Sequence, residues 1–317
     1  RALSRGAAKA GIWMNTGEGG LSPFHLEGGC DIVFQIGTAK FGVRDEDGAL
    51  NEDKLRKIAA NACVKMFELK LAQGAKPGKG GILPGAKVTA EIAEIRGLKE
   101  GVDAISPNRH VEIDDWDDLL DMIVRLRDIT GKPVGIKTVV GDRESFRDLM
   151  QTIKKRGEDC APDFITIDGG EGGTGAAPMP LIDLVGMSIR ESLPLAADLR
   201  NEAGLKDRIR LVADFITSAR GFMFSLGCIQ SLKCNKNTCP TGITTHNPRL
   251  QKGLVVEDKD QRVALYAKEV IHEVEIIAHS VGVAEPRLLR RKHVRIVQDS
   301  GRSVPMNELY PGLHAEG

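Results

Sequence analysis

Three of the six cysteines stand close together in the segment GCIQSLKCNKNTCPTG, at Cys228, Cys234 and Cys239. Tetrahedral zinc sites usually take their thiolates from C-x2-C pairs and have four ligands in total. The wider C-x5-C-x4-C spacing suits an iron–sulfur cluster, in which each thiolate binds a separate iron. Three ligands can hold a three-iron cluster, or a four-iron cluster with an open corner. A zinc site without a redox role and three incidental thiols are the alternatives.

Two glycine-rich segments each place a charged side chain where it can act on a ligand. In LAQGAKPGKGGILPGAK, Lys76 follows a predicted strand end, and its ammonium can bind a carboxylate or the electron-rich edge of a cofactor. Lys79 and Lys87 have no such anchor and are predicted to be solvated. In NTGEGGLSP, Glu18 is a lone carboxylate among glycines. A surface loop and an exposed turn are the respective alternatives.

Lys137 and the segment GGEGGTGAAP mark two more strand ends. A lysine in the apolar run VGIKTVV either faces the lumen of a barrel or destabilises the fold, because a buried ammonium needs a partner. A positive charge there can stabilise a reduced flavin anion. The backbone N–H groups of Gly170, Gly172, Gly173 and Thr174 can meet an anion or flavin heteroatoms, and a flexible turn is the equal alternative.

Short β-rich runs alternate with amphipathic helical runs along the chain. Strands are predicted at DIVFQIG, FELKLAQG, VGIKTVV, DFITIDGG and RIRLVADFIT. Helices are predicted at RALSRGAAKAG, LNEDKLRKIAANACVKM with Asn51 as its N-cap, DDWDDLLDMIVRLRDITG, ESFRDLMQTIKKRG, MPLIDLVGMSIRESLP and 259–281. This alternation indicates parallel βαβ units.

The positions of the candidate residues favour a (β/α)8 TIM barrel over a doubly wound sheet. They follow several different strands, and barrel active sites are built from many strand ends that meet at one face. A doubly wound fold would place one G-x-G-x-x-G turn after its first strand, whereas GGEGGTG comes late and lacks that spacing. Only about six strands are predicted, although a barrel needs eight.

The composition excludes several classes of protein. Apolar residues make up 41% of the 317 residues, enough for a large core, and charged residues make up 28% with a formal net charge of zero. A nucleic-acid-binding protein would show a basic excess. No apolar run reaches membrane-spanning length, so we expect a cytoplasmic location, with an upstream membrane anchor left open. Cys30, Cys63 and Cys160 are predicted to be ordinary buried thiols in a reducing compartment.

Taken together, the motifs resemble the FMN-binding domain of glutamate synthase and its shorter relatives. The matching text is NTGEGGLSP, QGAKPGKGG, LPG, ISPNRH, IDGGEGGTGAAP and the cysteine segment, up to about Leu254. The resemblance implies a (β/α)8 barrel that carries FMN, and a 3Fe-4S cluster on Cys228, Cys234 and Cys239. It also implies hydride transfer from reduced FMN to 2-iminoglutarate, which forms from 2-oxoglutarate and ammonia, to give L-glutamate.

The same resemblance assigns roles to single residues. Lys76 matches the family lysine at the substrate and flavin, Glu18 matches the active-site glutamate, and Arg96 falls where an arginine binds a substrate carboxylate. Lys137 matches the strand lysine at the flavin ring. The residues expected at FMN are Gln73, Lys137, Gly170, Gly172, Gly173, Thr174, Ala219 and Arg220, the last two through amides at the phosphate.

The sequence departs from the family in three places. Ile82 stands where the family has the glutamine of GGQLPG, which makes another keto or imino acid the alternative substrate. This sequence contains no segment that resembles a glutaminase domain, so we do not expect this part of the chain to make its own ammonia from glutamine. A strand and turn before ALSRGAAKAG, and a strand, turn and helix between RIRLVA and DFITSARG, are absent. The barrel therefore lacks strand 1 and the strand-7 segment.

These gaps leave two explanations. Either the protein contains segments that this sequence omits, or an incomplete barrel cannot hold FMN. Because six strands cannot close without exposing sheet edges, omitted segments are favoured. A rival function from a different class is an electron-transfer module that keeps the cysteine loop and binds no flavin.

The expected organisation is a barrel at 1–226, a cysteine loop packed on it at 227–255, and a helical extension at 256–317. The expected partners are 2-oxoglutarate or a related keto acid, ammonia and an electron donor protein. That donor is either a ferredoxin or a pyridine-nucleotide-oxidising subunit, and no nucleic acid is expected.

Overall fold

A computed structural model shows a mixed α/β fold built on one curled parallel sheet. It describes residues 1–171, 177–182, 184–211 and 217–312. Six strands run in the order β1-β2-β3-β6-β7-β8, and every neighbouring pair is parallel. The sheet forms part of a (β/α) barrel, which confirms the predicted fold class. It ends at β1 on one side and β8 on the other, the two positions next to the segments predicted to be missing.

The strands are β1 Met14–Asn15, β2 Ile32–Ile36, β3 Val64–Lys70, β4 Ile82–Leu83, β5 Ala104–Ile105, β6 Val134–Thr138, β7 Phe164–Ile167, β8 Arg210–Leu211, β9 Arg295–Val297 and β10 Ser303–Pro305. The helices are α1 Ala2–Ala10, α2 Pro23–Leu26, α3 Glu52–Ala59, α4 Ala90–Arg96, α5 Trp116–Thr130, α6 Arg143–Arg156, α7 Ile189–Glu202, α8 Arg220–Ser225, α9 Pro248–Gln251, α10 Val256–Ser280 and α11 Met306–Leu309. Strands β4 with β5, and β9 with β10, form two separate antiparallel pairs.

Local signals set most helix boundaries. The side chains of Asn51, Asp115 and Asp142 each accept a hydrogen bond from the backbone N–H three residues later, at the start of α3, α5 and α6. Helix α5 ends at Gly131, which adopts the left-handed conformation with φ 63°. The predicted N-cap at Asn51 and the predicted stop at Gly131 are therefore confirmed.

Two predicted helices are wrong in extent. The helix predicted through Met66 ends at Ala59, because Val64 begins β3 and joins the sheet. The helix predicted from Met179 has only a short 3-10 turn at Met179–Leu181, and α7 begins at Ile189. In both places an apolar run was assigned to the wrong element, since short apolar runs do not distinguish a helix from a buried strand or loop.

Strand side chains that point away from the lumen build the main core against the helices. Phe34 on β2 and Phe67 on β3 pack edge to face, with ring centroids 5.8 Å apart. Ile136 on β6 and Leu126 on α5 belong to the same buried cluster. These residues alternate with lumen-facing ones, as the two-residue period of a strand requires.

Lumen-facing side chains form layers. The lower layer is apolar and contains Trp13, Val33, Met66 and Phe164. Above it, the buried carboxylate of Glu68 on β3 accepts hydrogen bonds from three neighbours: Asn15 Nδ2 at 2.9 Å, Gln35 Nε2 at 2.6 Å and Thr166 Oγ1 at 2.5 Å. The donors come from β1, β2 and β7, so one carboxylate joins four strands. This carboxylate also fixes the position along the barrel axis of the residues that follow on each strand, and those residues line the mouth.

The C-terminal helix α10 packs against α1. A side chain at Gly6 would lie 2.4 Å from the Val263 side chain, so the two helices approach closely. The Lys9 Nζ lies 2.5 Å from the buried Asp260 carboxylate. The start of the barrel part and the start of the C-terminal extension therefore share one interface, while the three-part division itself stays a prediction. Among the described residues, no helix is long and apolar enough to cross a membrane.

We predict that Gly135→Ala destabilises the fold by about 1–3 kcal/mol, because overpacking a filled core forces displacement. The new Cβ would stand 2.5 Å from the Phe164 ring in the lower lumen layer. Urea unfolding measures the change. Gly141→Ala is the control, because a Cβ there meets none of the described residues within 4 Å and should change stability by less than about 0.5 kcal/mol. Equal stability of the two variants would contradict the layered lumen.

Candidate active site

Glu18 and Lys70 form an ion pair at the carboxyl ends of the strands. Lys70 is the last residue of β3, and its Nζ lies 2.9 Å from Glu18 Oε2 and 2.7 Å from Gln73 Oε1. Glu18 follows β1 in a turn where Asn15 Oδ1 accepts the N–H of Gly17 at 2.8 Å. Sequence reasoning found Glu18 and Gln73 but missed Lys70, the residue that joins them.

Two glycines make room for the Glu18 side chain. A Cβ at Gly37, just past β2, would lie 2.8 Å from Glu18 Cβ, and a Cβ at Gly81 would lie 2.8 Å from Glu18 Oε1. Contacts this short do not occur for real side chains, so both positions require glycine as long as Glu18 keeps its place. The glycine-rich segment after β3 thus closes over the carboxylate that follows β1.

Lys76 is buried beside this pair. Its Nζ donates to the carbonyl of Gly80 at 3.1 Å, and its side chain shows no ion pair among the described residues. Burial lowers the pKa of Lys76, the negative charge of Glu18 raises it in part, and the positive charge of Lys70 lowers it further. Lys76 is therefore a desolvated ammonium whose positive charge is only partly balanced by Glu18. Such a group suits binding of an anion.

Arg96 completes the cationic group from a different element. It ends α4, and its guanidinium lies over the Phe41 ring at 4.8 Å from the centroid. A Cβ at Gly19 would stand 3.1 Å from one Arg96 nitrogen, so the turn that carries Glu18 lies against the guanidinium. Burial lowers the pKa of Arg96 and Glu18 opposes that effect. The predicted trio of Glu18, Lys76 and Arg96 is thus brought to one place.

Lys137 on β6 lies in the lumen-facing position next to β7. Its Nζ is 3.2 Å from Asp168 Oδ2, and the same carboxylate oxygen accepts the N–H of Gly74 at 3.0 Å. Gly74 approaches the loop after β7 so closely that a Cβ would lie 1.7 Å from the carbonyl of Gly169. Asp168 therefore joins the loops after β3 and β7, with Lys137 at their junction.

The segment ISPNRH forms one wall of the mouth. Thr38 Oγ1 donates to the carbonyl of Pro107 at 2.7 Å, and Asn108 Oδ1 accepts the N–H of Gly80 at 3.1 Å. A cleft of about 20 Å³ lies between this wall and the strand ends. Its lining consists of Glu18, Thr38, Lys70, Leu71, Ala72, Gln73, Gly78, Lys79, Gly80, Gly81, Pro107 and Asn108.

His110 is hydrogen-bonded to the main chain of Lys70. The ring is buried, and its Nε2 lies 3.0 Å from the carbonyl of Lys70. Its Nδ1 is buried and has no hydrogen-bond partner among the described residues. Burial lowers the pKa of His110, and the contact with Lys70 raises it in part. The ring is therefore neutral at pH 7, which assigns the proton to Nε2 as donor to Lys70.

Ile82 does not face Glu18 and the mouth, although its place at the family glutamine predicted a contact with the substrate. It pairs with Ile105 across β4 and β5, and the two side chains are 57% and 63% exposed. The preceding Gly81 faces Glu18, so Ile82 points to the opposite face because side chains alternate along a strand. The link between Ile82 and substrate choice stays a prediction.

Lys87 is buried, which contradicts the expectation that it is solvated. Its Nζ donates to the carbonyls of Cys234 at 2.9 Å and Thr244 at 3.1 Å. Burial lowers its pKa, and Cys234 and Cys239 partly offset that shift. No local pattern indicates this burial, because the two partners lie about 150 residues away along the chain.

The three thiols of the cysteine loop do not form a joint ligand set in the part of the chain that the structure describes. Cys239 is buried, whereas Cys228 and Cys234 are partly exposed. Burial raises the pKa of Cys239, but hydrogen bonds from Thr241 and Thr244 outweigh it and bring the pKa to about 6. The donor chemistry suits a metal, while the arrangement does not gather three sulfurs. The cluster therefore stays a prediction.

The remaining predicted residues lie away from these contacts or outside the described ranges. Gly170 packs against the carbonyl of Gly186, where a Cβ would lie 2.1 Å away. Ala219 and Arg220 stand at the start of α8, a helix that packs against α10. Gly172, Gly173 and Thr174 fall outside the described residues.

Comparison with known proteins identifies the same family that the sequence motifs resemble. A family model described as a conserved region in glutamate synthase matches residues 1–215 and 210–284. The two matches meet where the sequence predicted a missing strand, turn and helix. The glutamate synthase large subunit-like protein YerD of Bacillus subtilis is 42% identical over 97% of this chain and 62% of its own length.

Two further relatives carry the name of the whole enzyme. The archaeal glutamate synthase (NADPH) of Methanocaldococcus jannaschii is 32% identical over 96% of this chain and 59% of its own length. The archaeal-type glutamate synthase (NADPH) of Thermotoga maritima is 34% identical over 91% of this chain and 57% of its own length. The chain thus spans about three fifths of the length of the curated relatives it matches.

We predict that Lys87→Met loosens the cysteine loop and lowers the free energy of unfolding by about 1–3 kcal/mol, because two buried carbonyls lose their donor. Urea unfolding and limited proteolysis between residues 228 and 246 measure the change. Lys79→Met is the matched control, since Lys79 is an exposed lysine of the same segment. If both variants resist protease and urea like the unaltered protein, Lys87 does not hold the loop.

Proposed function

The chain belongs to the glutamate synthase family, and from that premise we propose that it is an FMN-dependent oxidoreductase that makes L-glutamate from 2-oxoglutarate and ammonia. The observation that carries the proposal is the assembly of Glu18, Lys70, Lys76 and Arg96 at the carboxyl ends of one parallel sheet. Barrel enzymes place their active sites at that face.

The charges of the mouth suit a dicarboxylate. Lys76 and Arg96 are both desolvated cations, and the negative charge of Glu18 acts on each of them. Charge-assisted hydrogen bonds to carboxylates are stronger than neutral ones, and a guanidinium can make two in parallel. We assign Arg96 to one substrate carboxylate and Lys76 to the end of the substrate that reacts.

Glu18 supplies the negative charge of the site. Its carboxylate lies 2.9 Å from Lys70 Nζ, and its negative charge also acts on Arg96, so it orients both cations while the substrate is absent. An imine substrate formed with ammonium carries a nitrogen, and Glu18 is the carboxylate of the site that can bind it. We assign it to binding that nitrogen and exchanging its proton.

We assign the flavin to the mouth beside Lys137, the lysine that the family resemblance matches to the flavin ring. The ammonium of Lys137 lies at the mouth beside the closely packed Gly74 and Gly169, where backbone approaches backbone without intervening side chains. FMN, when bound there, supplies the hydride. Lys137 would hold its ring, with Gln73 and the loop after β7 beside it.

The proposed net reaction balances. One 2-oxoglutarate, one ammonium ion, two electrons and two protons give one L-glutamate and one water. The electrons come from a donor protein, in line with the expectation of a ferredoxin or a pyridine-nucleotide-oxidising subunit; the relatives named above carry NADPH in their names. The 3Fe-4S cluster on Cys228, Cys234 and Cys239 remains part of the proposal on the strength of the motif alone, and iron analysis of anaerobically purified protein tests it.

A second candidate function is the same reduction on another keto or imino acid. It rests on the family resemblance alone, in which Ile82 stands where the family has a glutamine, because the Ile82 side chain points away from the face that carries Glu18. An assay with a set of 2-keto acids distinguishes the two substrates. Activity with 2-oxoglutarate and ammonium would contradict the alternative.

We predict that anaerobically purified full-length protein, reduced with dithionite, forms L-glutamate from 2-oxoglutarate and ammonium. Arg96→Leu should weaken 2-oxoglutarate binding about 10- to 100-fold, the loss expected for one charged hydrogen-bonded contact. Glutamate is measured by mass spectrometry and binding by titration of the flavin absorbance. Arg109→Leu, an exposed arginine at the rim that pairs with Asp114, is the control.

The outcomes separate the hypotheses. Flavin bound with glutamate formed supports the proposal, and flavin bound without glutamate leads to the other keto acids. Protein that binds iron but no FMN contradicts the enzyme and supports the electron-transfer module. Equal loss of 2-oxoglutarate binding in both arginine variants would remove Arg96 from its assigned role.

A further inference from the structure

The segment ISPNRH, residues 105–110, forms one wall of the mouth, but the proposed chemistry assigns no role to its side chains. The segment begins at the end of β5 and reaches the strand ends through Asn108 and His110. One of these side chains contacts the main chain of a site lysine, and the other contacts the residue that a second site lysine binds. Arg109 stands between them, is exposed and pairs with Asp114 instead.

His110 replaces a donor that the sheet does not supply to Lys70. Strand β2 ends at Ile36, opposite Leu69, so β2 offers no residue to pair with Lys70. A carbonyl at the end of a strand then needs a donor from elsewhere. His110 Nε2, 3.0 Å from the Lys70 carbonyl, is that donor. The contact fixes the main chain at the residue whose ammonium lies 2.9 Å from the Glu18 carboxylate.

The chemistry of the His110 ring favours this role over packing. The ring is 2% exposed, and its Nδ1 is buried with no hydrogen-bond partner in the part of the chain that the structure describes. An unpaired buried polar atom destabilises the folded state. An apolar side chain of similar size would avoid that loss, so packing alone does not explain a histidine at this position. The contact of Nε2 with Lys70 does explain it.

Asn108 acts on Lys76 through one residue, Gly80. Asn108 Oδ1 accepts the N–H of Gly80 at 3.1 Å, and the carbonyl of Gly80 accepts Lys76 Nζ at 3.1 Å. A Cβ at Gly80 would lie 1.9 Å from the carbonyl of Ser106, so the two segments pack backbone against backbone. The acceptor of the buried Lys76 ammonium is therefore held in place by the ISPNRH segment.

The segment is attached to the turn after β2 on both sides of these contacts. Before them, Thr38 Oγ1 donates to the carbonyl of Pro107 at 2.7 Å. After them, Glu112 Oε1 lies 3.0 Å from Lys40 Nζ, and Lys40 is 2% exposed. Residues fixed in this way can hold a binding group in one geometry before the ligand arrives.

We propose that ISPNRH is a positioning segment for the two lysines of the mouth: His110 positions Lys70, and Asn108 positions Lys76. The inference rests on the proposed function, which assigns Lys76 to the reacting end of the substrate, and it adds the residues that hold the lysines in place. Both act through main-chain atoms, so they are positioning residues. Misplacement of a binding group by about 1 Å can lower a rate about 100-fold, so such support matters for the reaction.

Chemical labelling of lysines in the full-length protein tests the position of the two ammonium groups without an assay of activity. Acetic anhydride at limiting concentration is the probe, and mass spectrometry gives the labelling rate of each lysine. Lys70 and Lys76 should react slowly, and the exposed Lys79 should react fast. His110→Leu should raise the rate at Lys70 about fivefold, and Asn108→Ala should do the same at Lys76, as expected for the loss of one hydrogen bond.

A conservative variant separates positioning from packing. His110→Gln places an amide nitrogen near the position of Nε2, so Lys70 should stay slow to label and the glutamine should substitute for the histidine. A purely structural role predicts the opposite order, because leucine fills an apolar space better than glutamine does. Faster labelling of Lys70 in the glutamine variant than in the leucine variant would therefore contradict the role of His110.

A double-mutant cycle separates positioning by Asn108 from direct contact with the substrate, because Asn108 also lines the cleft. Asn108→Ala should weaken binding of 2-oxoglutarate about fivefold, as measured by calorimetry. In protein that carries Lys76→Met, Asn108→Ala should cause no further loss, since it acts only through Lys76. Arg109→Leu is the matched control from the same segment and should label and bind like the unaltered protein.

Failure of the positioning role and failure of the proposed function are distinguishable. Protein that binds no 2-oxoglutarate would contradict the function, while the labelling rates of Lys70 and Lys76 would still support or overturn the positioning role. Unchanged rates in His110→Leu and Asn108→Ala would overturn it, as would additive losses in the cycle. Unfolding would show as faster labelling of Lys87, which is buried at the cysteine loop. In that case His110→Gln and the exposed Asn108→Ala carry the test.

Discussion

The buried carboxylate of Glu68 is the interaction on which the candidate site depends. It accepts hydrogen bonds from side chains on β1, β2 and β7 while it belongs to β3. A buried charge is stable only when hydrogen bonds replace the water it has lost. Because three strands must supply donors at one height, their mutual registers are fixed. Lys70 then emerges two residues above Glu68, level with the residues that face it across the mouth.

The mouth above this layer carries more positive than negative charge. Lys70, Lys76, Lys137 and Arg96 contribute cations, and within the described part of the chain their contacts include two carboxylates, Glu18 and Asp168. Each carboxylate also ties two loops together, so the negative charges position the cations that surround them. The excess of positive charge that remains suits the binding of an anionic ligand.

One segment connects the mouth with the cysteine loop. The glycine-rich stretch after β3 carries Lys76 into the mouth and, eleven residues later, Lys87 into the cysteine loop. Both lysines are desolvated, and both donate to backbone carbonyls. A movement of the cysteine loop would therefore act on the same short segment that closes over Glu18.

The sequence alone determined the parallel α/β architecture and the barrel class, and it predicted Glu18, Gln73, Lys76, Arg96 and Lys137 as site residues. Alternation of strands and helices, glycine clusters and the family motifs are local in the chain, so they can be read without coordinates. The tertiary structure alone decided that Lys70 joins Glu18 to Gln73, that Asp168 joins two loops, and that Lys87 is buried rather than solvated. A lumen-facing period through Glu68 and Lys70 was a signal that could have revealed the first of these. The others depend on partners that are distant in sequence, and only the closure of the fold brings such groups within hydrogen-bond distance.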